Sequence, residues 1–457
     1  LACCSLATAA EFQEELITAS EALGPVGQQL GEQVEAGQLD QANQRLLEYF
    51  PMDKRTPAQT LAVANMLYGL DAKLSYALHK QVAQQLPNEP TAQLEWAMEQ
   101  HRAGEYAGAL KAYDAFSKAE SQFAPAHGLA ADCLIRLGRT REAVARWQAS
   151  ENASQGTLES LESMVCDVYK DPSLEKRRVD LRARVQRGDV DAAVKLIALD
   201  GRYPRDWWND GPSRSHLEHD VPLLKQLAAS PRIKAALSLA ECLQLEDPTQ
   251  EALRSILNRN GWLVDTNHTL PADASTLSLM LGTAISAEVL TYEQCRKQWG
   301  TLLLAKARTS KDPDLWNVVA AIHDDPDAML QIEEQAWKAT GDSRFAAGYL
   351  FARLKQQSLK PNDPALVKAL QQFPEDSMIH MAALATCDEP TEAMLVQAIK
   401  AEYRHFSPSG LFPRSSARAL RRYFAQLEEV LDHAPGAKAA PATPTNSTDK
   451  KQGTTGG

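Results

Sequence analysis

His216 and His219 are the histidines best spaced for chemistry, three positions apart with Glu218 and Asp220 beside them. On a helix that spacing places both imidazoles on one face, where a carboxylate could join them around a divalent metal. The order is not the H-E-x-x-H of zinc hydrolases, and no third ligand follows from the spacing, so a polar loop with titrating histidines is the simpler reading. Just upstream, Trp207 and Trp208 are adjacent. They offer either an aromatic platform for a sugar or peptide or an anchor for a loop on a helical surface. No G-x-S-x-G nucleophile elbow, Walker loop or dinucleotide fingerprint occurs. The sequence therefore predicts no metal, no cofactor and no enzyme centre. The alternatives are an envelope hydrolase or sugar-processing activity built on the 201–220 loop, or a purely structural secretion or assembly factor.

The seven cysteines stand at 3, 4, 133, 166, 242, 295 and 387. After Cys4 none forms a C-x-x-C pair, so zinc and redox motifs are not indicated. A scattered set of this kind reads as buried small apolar residues. Cys133 and Cys166 lie 33 residues apart, about one repeat, a spacing that could bring them near each other on adjacent units. The formal net charge is -11, which argues against nucleic-acid binding, because that needs a basic surface to displace counterions. Two local basic runs, 176–187 and 414–422, read as solvated helix faces or as contacts for an acidic partner.

Leu1–Ala10 reads LACCSLATAA, with the small residues of Ala7-Thr8-Ala9 suiting a signal peptidase. Residues 1–9 are thus expected to be a signal remnant and the protein periplasmic or exported. A lipid anchor at Cys4, and hence an outer-membrane lipoprotein, is the alternative. The most apolar stretch, Thr276–Leu290, is short and carries Glu288, so it is expected to be a buried helix and not a membrane span.

What would position any of these groups is a repeat. Ala97, Arg102, Gly104, Ala109 and Tyr113 are matched by Ala131, Arg136, Gly138, Ala143 and Trp147, each pair 34 residues apart. The glycine lets one helix end in a turn, the alanine allows a second helix to pack closely, and the large residue four further on fills the gap. Residues 56–157 resemble three tandem tetratricopeptide repeats, at 56–89, 90–123 and 124–157. In the first, Ser75 stands where the family has alanine, and Pro87 matches the family's closing proline. The reduced pattern recurs as Gly37/Ala42/Leu46, Gly188/Ala193/Ile197 and Gly341/Ala346/Leu350. A helix end of one form recurs at 46–51, 82–87 and 369–374. Asp-Pro pairs at 171, 247, 312, 325 and 363 mark helix starts.

The expected fold is an all-α superhelix, or solenoid, of antiparallel helix pairs with degenerate repeats in the C-terminal half. An N-terminal solenoid is expected over 10–200, an irregular junction over 201–222, a second helical-repeat region over 223–433 and a disordered tail over 434–457. The resemblance implies a concave groove lined by the first helix of each pair, with Leu94, Met98 and His101 facing it from one repeat and Asp132 and Ile135 from the next. It also implies a scaffold or adaptor that binds a protein or peptide partner there, with Trp207 and Trp208 as further partner contacts.

Overall fold

The computed structural model describes residues 11–23, 39–51, 54–67, 71–156, 158–169, 173–189, 192–193, 195–197, 221–227, 237–238, 240–242, 249–259, 281, 285, 290–323, 325–405 and 413–433. These residues form helices joined by turns, with no strand among them and a single isolated bridge between Phe123 and Gln155. The first helix, α1, covers 11–23. It is followed by α2 (Leu39–Tyr49), α3 (Pro57–Leu67), α4 (Ala72–Gln85), α5 (Pro90–Arg102) and α6 (Tyr106–Ala119). Then come α7 (Ala124–Arg136), α8 (Thr140–Asn152), α9 (Leu158–Tyr169), α10 (Ser173–Gln186) and α11 (Gln250–Arg259). The C-terminal series is α12 (Tyr292–Arg308), α13 (Pro313–Ala321), α14 (Pro326–Thr340), α15 (Ser343–Lys355), α16 (Pro364–Gln372), α17 (Ser377–Leu384), α18 (Glu392–His405) and α19 (Pro413–His433).

The expected helix pairs are present as α3/α4, α5/α6 and α7/α8, each packed as a hairpin. The turns explain the 34-residue spacing. Gly104 and Gly138 both adopt left-handed backbone, at φ 75° and 73°. In each, the glycine N–H bonds back to the residue three before it, and the next N–H reaches five residues back. A side chain at such an angle would be strained, so glycine is the residue that turns the chain cheaply. Gly188, at φ 86°, repeats the same two bonds to Val185 and Arg184. Ala193 and Ile197 beyond it are fully buried, as are Ala346 and Leu350 beyond Gly341. The 37–46 echo begins outside the described residues. In the turn after α15, Gln357 takes the glycine's place at φ 54° and makes the same pair of bonds.

Side chains departing from the repeat pattern are satisfied individually. Ser75, at the close-approach position, is fully buried, and its hydroxyl donates to the Ala64 carbonyl at 2.9 Å. Four residues on, His79 occupies the site of Tyr113 and Trp147. Burial pushes its imidazole down to about 4, so it packs as a neutral ring. The two helix ends at 82–87 and 369–374 finish alike, with Leu86 and Phe373 bonding back to Val82 and Ala369. Asp325 and Asp363 cap α14 and α16, accepting from Ala328 and Ala365 at 3.0 and 2.9 Å, with proline next in the helix. The Asp-Pro pairs at 171 and 247 lie outside the described residues.

Three packing features differ from an array of consecutive pairs. Helix α1 seats Phe12 against Leu61 and Val82, covering the first pair. Second, α18 and α19 return to α7 and α8, so Leu395, Ile399, Leu420 and Phe424 share one core with Leu129, Leu134 and Trp147. The N-terminal repeats and the end of the expected 223–433 region are therefore joined by a common core. The junction at 201–220 lies outside the described residues, as does the 434–457 tail. Third, the 176–187 run is not a uniformly solvated face. Arg178 and Arg182 are buried, whereas Arg177 and Arg187 are exposed. The buried pair sits on the face of α10 that carries Val179, Leu181 and Val185 inward. None of the described helices is long and apolar enough to cross a membrane.

Two substitutions test this packing. Glu333 on α14 is buried with its carboxyl against Gly348 of α15, and its Oε2 lacks a partner. Burial pushes it up to about 7. A raised carboxyl contributes stability below its unfolded value near 4.5 and loses it as pH rises through 7, a span of about 3 kcal/mol. Glu333→Gln should match the parent in urea unfolding at pH 4 and exceed it at pH 8. Gln357→Gly should relieve left-handed strain and raise stability by about 0.5–1 kcal/mol, read as a shift of the urea midpoint.

Candidate functional site

The face expected to form a groove contains a buried polar cluster. Helix α7 brings Asp132, Cys133 and Arg136, α5 brings His101, α6 brings Tyr106 and Tyr113, and α9 brings Tyr169. His101 Nε2 lies 3.0 Å from Asp132 Oδ2, and Arg136 Nε donates to Asp132 Oδ1 at 2.9 Å. The Tyr169 hydroxyl also donates to Asp132. With Nε2 carrying the His101 proton, Nδ1 is the acceptor for the Tyr113 hydroxyl at 3.3 Å. The Arg136 guanidinium lies over the rings of Tyr106 and Tyr169, at 5.4 and 5.2 Å.

Electrostatics hold Asp132 and Arg136 in their ionised forms. Burial alone would raise the Asp132 carboxyl, but Arg136, then His101 and Tyr169, more than offset it and keep it below its usual value. Burial likewise opposes the Arg136 charge, and Asp132 overcomes that and holds the guanidinium protonated. The result is a compensated ion pair inside the protein.

Cys133 Sγ stands 3.5 Å from His101 Nδ1, so thiol, imidazole and carboxylate follow one another as in a nucleophile–base–acid relay. The relay cannot run here. Cys133 and Asp132 are fully buried and His101 is 1% exposed, leaving a substrate no approach. Burial and the Asp132 charge push the thiol well above its ordinary value, so the nucleophilic thiolate does not form. The arrangement is a lock between helices.

The expected groove residues therefore sit differently from their sequence assignment. Met98, His101, Asp132 and Ile135 are buried in the chain's own core, and Leu94 is partly buried against it. A partner cannot touch the four buried side chains while this packing lasts. The physical reason is that α9 and α18 cover the face of α7 that the repeat pattern would leave open. Trp207, Trp208, His216 and His219 lie outside the described residues. Cys133 is a free thiol, as are Cys295 and Cys387. Among the described residues no group of three His, Cys, Asp or Glu side chains is arranged to hold a metal ion. The sequence signal for the cluster was Asp132 in the middle of an apolar, alanine-rich helix. A charge there must be paired or expelled.

Asp132→Asn leaves Arg136 buried and uncompensated and should cost roughly 3–5 kcal/mol in urea unfolding, whereas Asp132→Asn combined with Arg136→Met should recover most of it. Cys133 should resist alkylation by iodoacetamide in native buffer and react fully in 6 M urea, a concentration chosen at about the level that unfolds domains of ordinary stability.

No family model matches the chain, and no curated protein matches it. Among solved structures it is similar to the tetratricopeptide domain of P58(IPK), at 13% identity over 82% of this chain and 98% of that one, with a TM-score of 0.22. It is also similar to a chain of the Naa15/Naa10 assembly bound to HypK-THB, at 15% identity over 96% and 68% of the two chains, with a TM-score of 0.22. Superposition that loose carries no weight by itself, and the fold stands on the chain's own helix pairs and turns.

Proposed function

We propose that this chain is a protein-interaction scaffold of the bacterial cell envelope, which holds another polypeptide on the surface of its helix pairs. The observation that carries the reading is the sealed state of the Cys133–His101–Asp132 trio. The described residues whose spacing most resembles a reaction centre are given over to fastening helices, and stacked helix pairs are an architecture whose surfaces commonly serve to hold another chain. Exposed apolar side chains such as Leu137, Tyr292 and Leu302 mark where such a chain would find contact area. The envelope assignment draws on the signal-like Ala7-Thr8-Ala9 segment.

A photo-crosslinking residue at Leu137 and another at Leu302 test the reading. With envelope extract, at least one position should give a discrete protein adduct of fixed stoichiometry, and the mature chain should fractionate with the envelope. Failure to capture any protein from either position, or from further exposed positions along the helices, would overturn it.

A further inference from the structure

The fourth residue of a helix performs the same task at four places in the chain. In α5, α7, α13 and α17 that residue is Gln93, His127, Trp316 and His380. Each sends a side-chain N–H back to a carbonyl that precedes its own helix. Gln93 Nε2 donates to Ala83 at 3.0 Å and to Leu86 at 3.2 Å. His127 Nε2 donates to Ser121 at 2.8 Å, Trp316 Nε1 to Ser310 at 3.4 Å and His380 Nε2 to Pro374 at 2.8 Å. In these last three the acceptor stands six residues back. Carbonyls at and just after a helix end lack partners of their own. The side chain thus fastens the exit of one helix to the entry of the next, and an amide, an imidazole and an indole serve alike.

Two of the four donors can take up a proton, and His127 is badly placed to hold it. A carbonyl only accepts, so Nε2 keeps its hydrogen and a second proton must go to Nδ1. That nitrogen is buried without a hydrogen-bond partner, in a residue 5% exposed. The charged groups that bear on the ring are Arg146 of α8 and Asp114 of α6. Among the described residues, α9 and α18, which also pack on α7, bring no charge to bear on it. Arg146 Nη2 already holds Asp114 Oδ1 at 2.8 Å and the Ser117 hydroxyl at 3.1 Å. Its Nε is buried and unpartnered, like the imidazole Nδ1. A charged ring would set a second cation beside the guanidinium, with Asp114 already engaged. Burial pulls the imidazole below its ordinary value and Arg146 adds to it, outweighing the Ser121 bond and Asp114. At His380 the charge that bears on the ring is Asp376, which favours protonation.

We propose that His127 is an acid-sensitive latch between the repeats at 90–123 and 124–157. The neutral ring fastens α7 to the segment leaving α6, and a second proton on Nδ1 loosens that joint. The joints at Gln93 and Trp316 cannot titrate and hold. The sign follows from which state keeps the proton better. An opened chain binds it near 6.5 and the closed chain only at lower pH, so the latch is at full strength above 6.5 and weakens as pH falls below it.

Gln93 supplies the design of the test. His127→Gln retains a side-chain N–H for the Ser121 carbonyl and cannot take up a proton. Amide hydrogen exchange of the full chain, corrected for the intrinsic pH dependence of exchange, is read over 121–131 at about pH 7.5 and about pH 5.5. In the parent, protection of this segment should fall several-fold, up to about the tenfold that one pH unit below 6.5 allows. In His127→Gln it should hold. Equal loss in the two proteins, or no loss in the parent, would overturn the proposal. If His127→Gln does not fold, the parent's own titration decides, followed by peptide mass through exchange of the His127 ring Cε1 hydrogen across pH. A midpoint below 6.5 supports the latch, and one at or above 6.5 overturns it.

Discussion

Helix α7 has no side left for water. Every residue from Ala124 to Ile135 is buried, and helices α6, α8, α9 and α18 all pack on it. A helix covered on all sides must be narrow and nearly apolar. Gly128, Ala126, Ala130 and Ala131 meet the first condition, letting neighbouring backbones come close. Asp132 breaks the second, and its charge survives only because Arg136, His101 and Tyr169 converge on it. The neighbours are consequently held in one arrangement. A helix that shifted along α7 would strip a hydrogen bond from a buried carboxylate, a larger penalty than the loss of a few apolar contacts.

That constraint separates α7 from the otherwise similar α5. Both begin with proline at the first or second helical position and end in the same glycine turn. Yet α5 keeps several residues partly exposed, whereas α7 keeps none before Arg136. The return of α18 and α19 makes the difference. Tyr403 donates to the Gly128 carbonyl at 2.8 Å, and Arg136 reaches the Lys400 carbonyl at 3.2 Å. Phe424 stacks on Trp147 with ring centres 4.6 Å apart and nearly parallel planes. The repeat pattern places Trp147 where the following unit should cover it, and here a helix from the far end of the chain gives that cover.

Much of this was legible in the residues. The interval between Gly104 and Gly138 gave the helix pairs, and the aspartates before Pro326 and Pro364 gave two starts. Repeat position put His101 and Asp132 on an open groove face, whereas both are buried. Local pattern was silent on what lies over that face, because nothing in the spacing of Leu395 or Phe424 says which distant helix they meet. Two signals were present and unread. Gly128 breaks an alanine-rich helix where no turn needs it, which marks a close approach. The interval of fifty from Gly138 to Gly188 announces an extra helix. Ser75 and Gln357 were opaque for another reason. Each departs from its pattern, and the cost is offset by a single hydrogen bond or borne as strain, neither of which periodicity records.

The stacking of Phe424 on Trp147 also governs when the protein can finish folding. Stacked repeats ordinarily settle one after another as they leave the ribosome, since each needs only its neighbours. Here the flank of α8 stays bare until almost three hundred further residues have been synthesised, a contact of very long range in sequence. Through that interval the tryptophan lacks its native cover, the kind of exposed apolar surface that makes partly folded chains prone to associate.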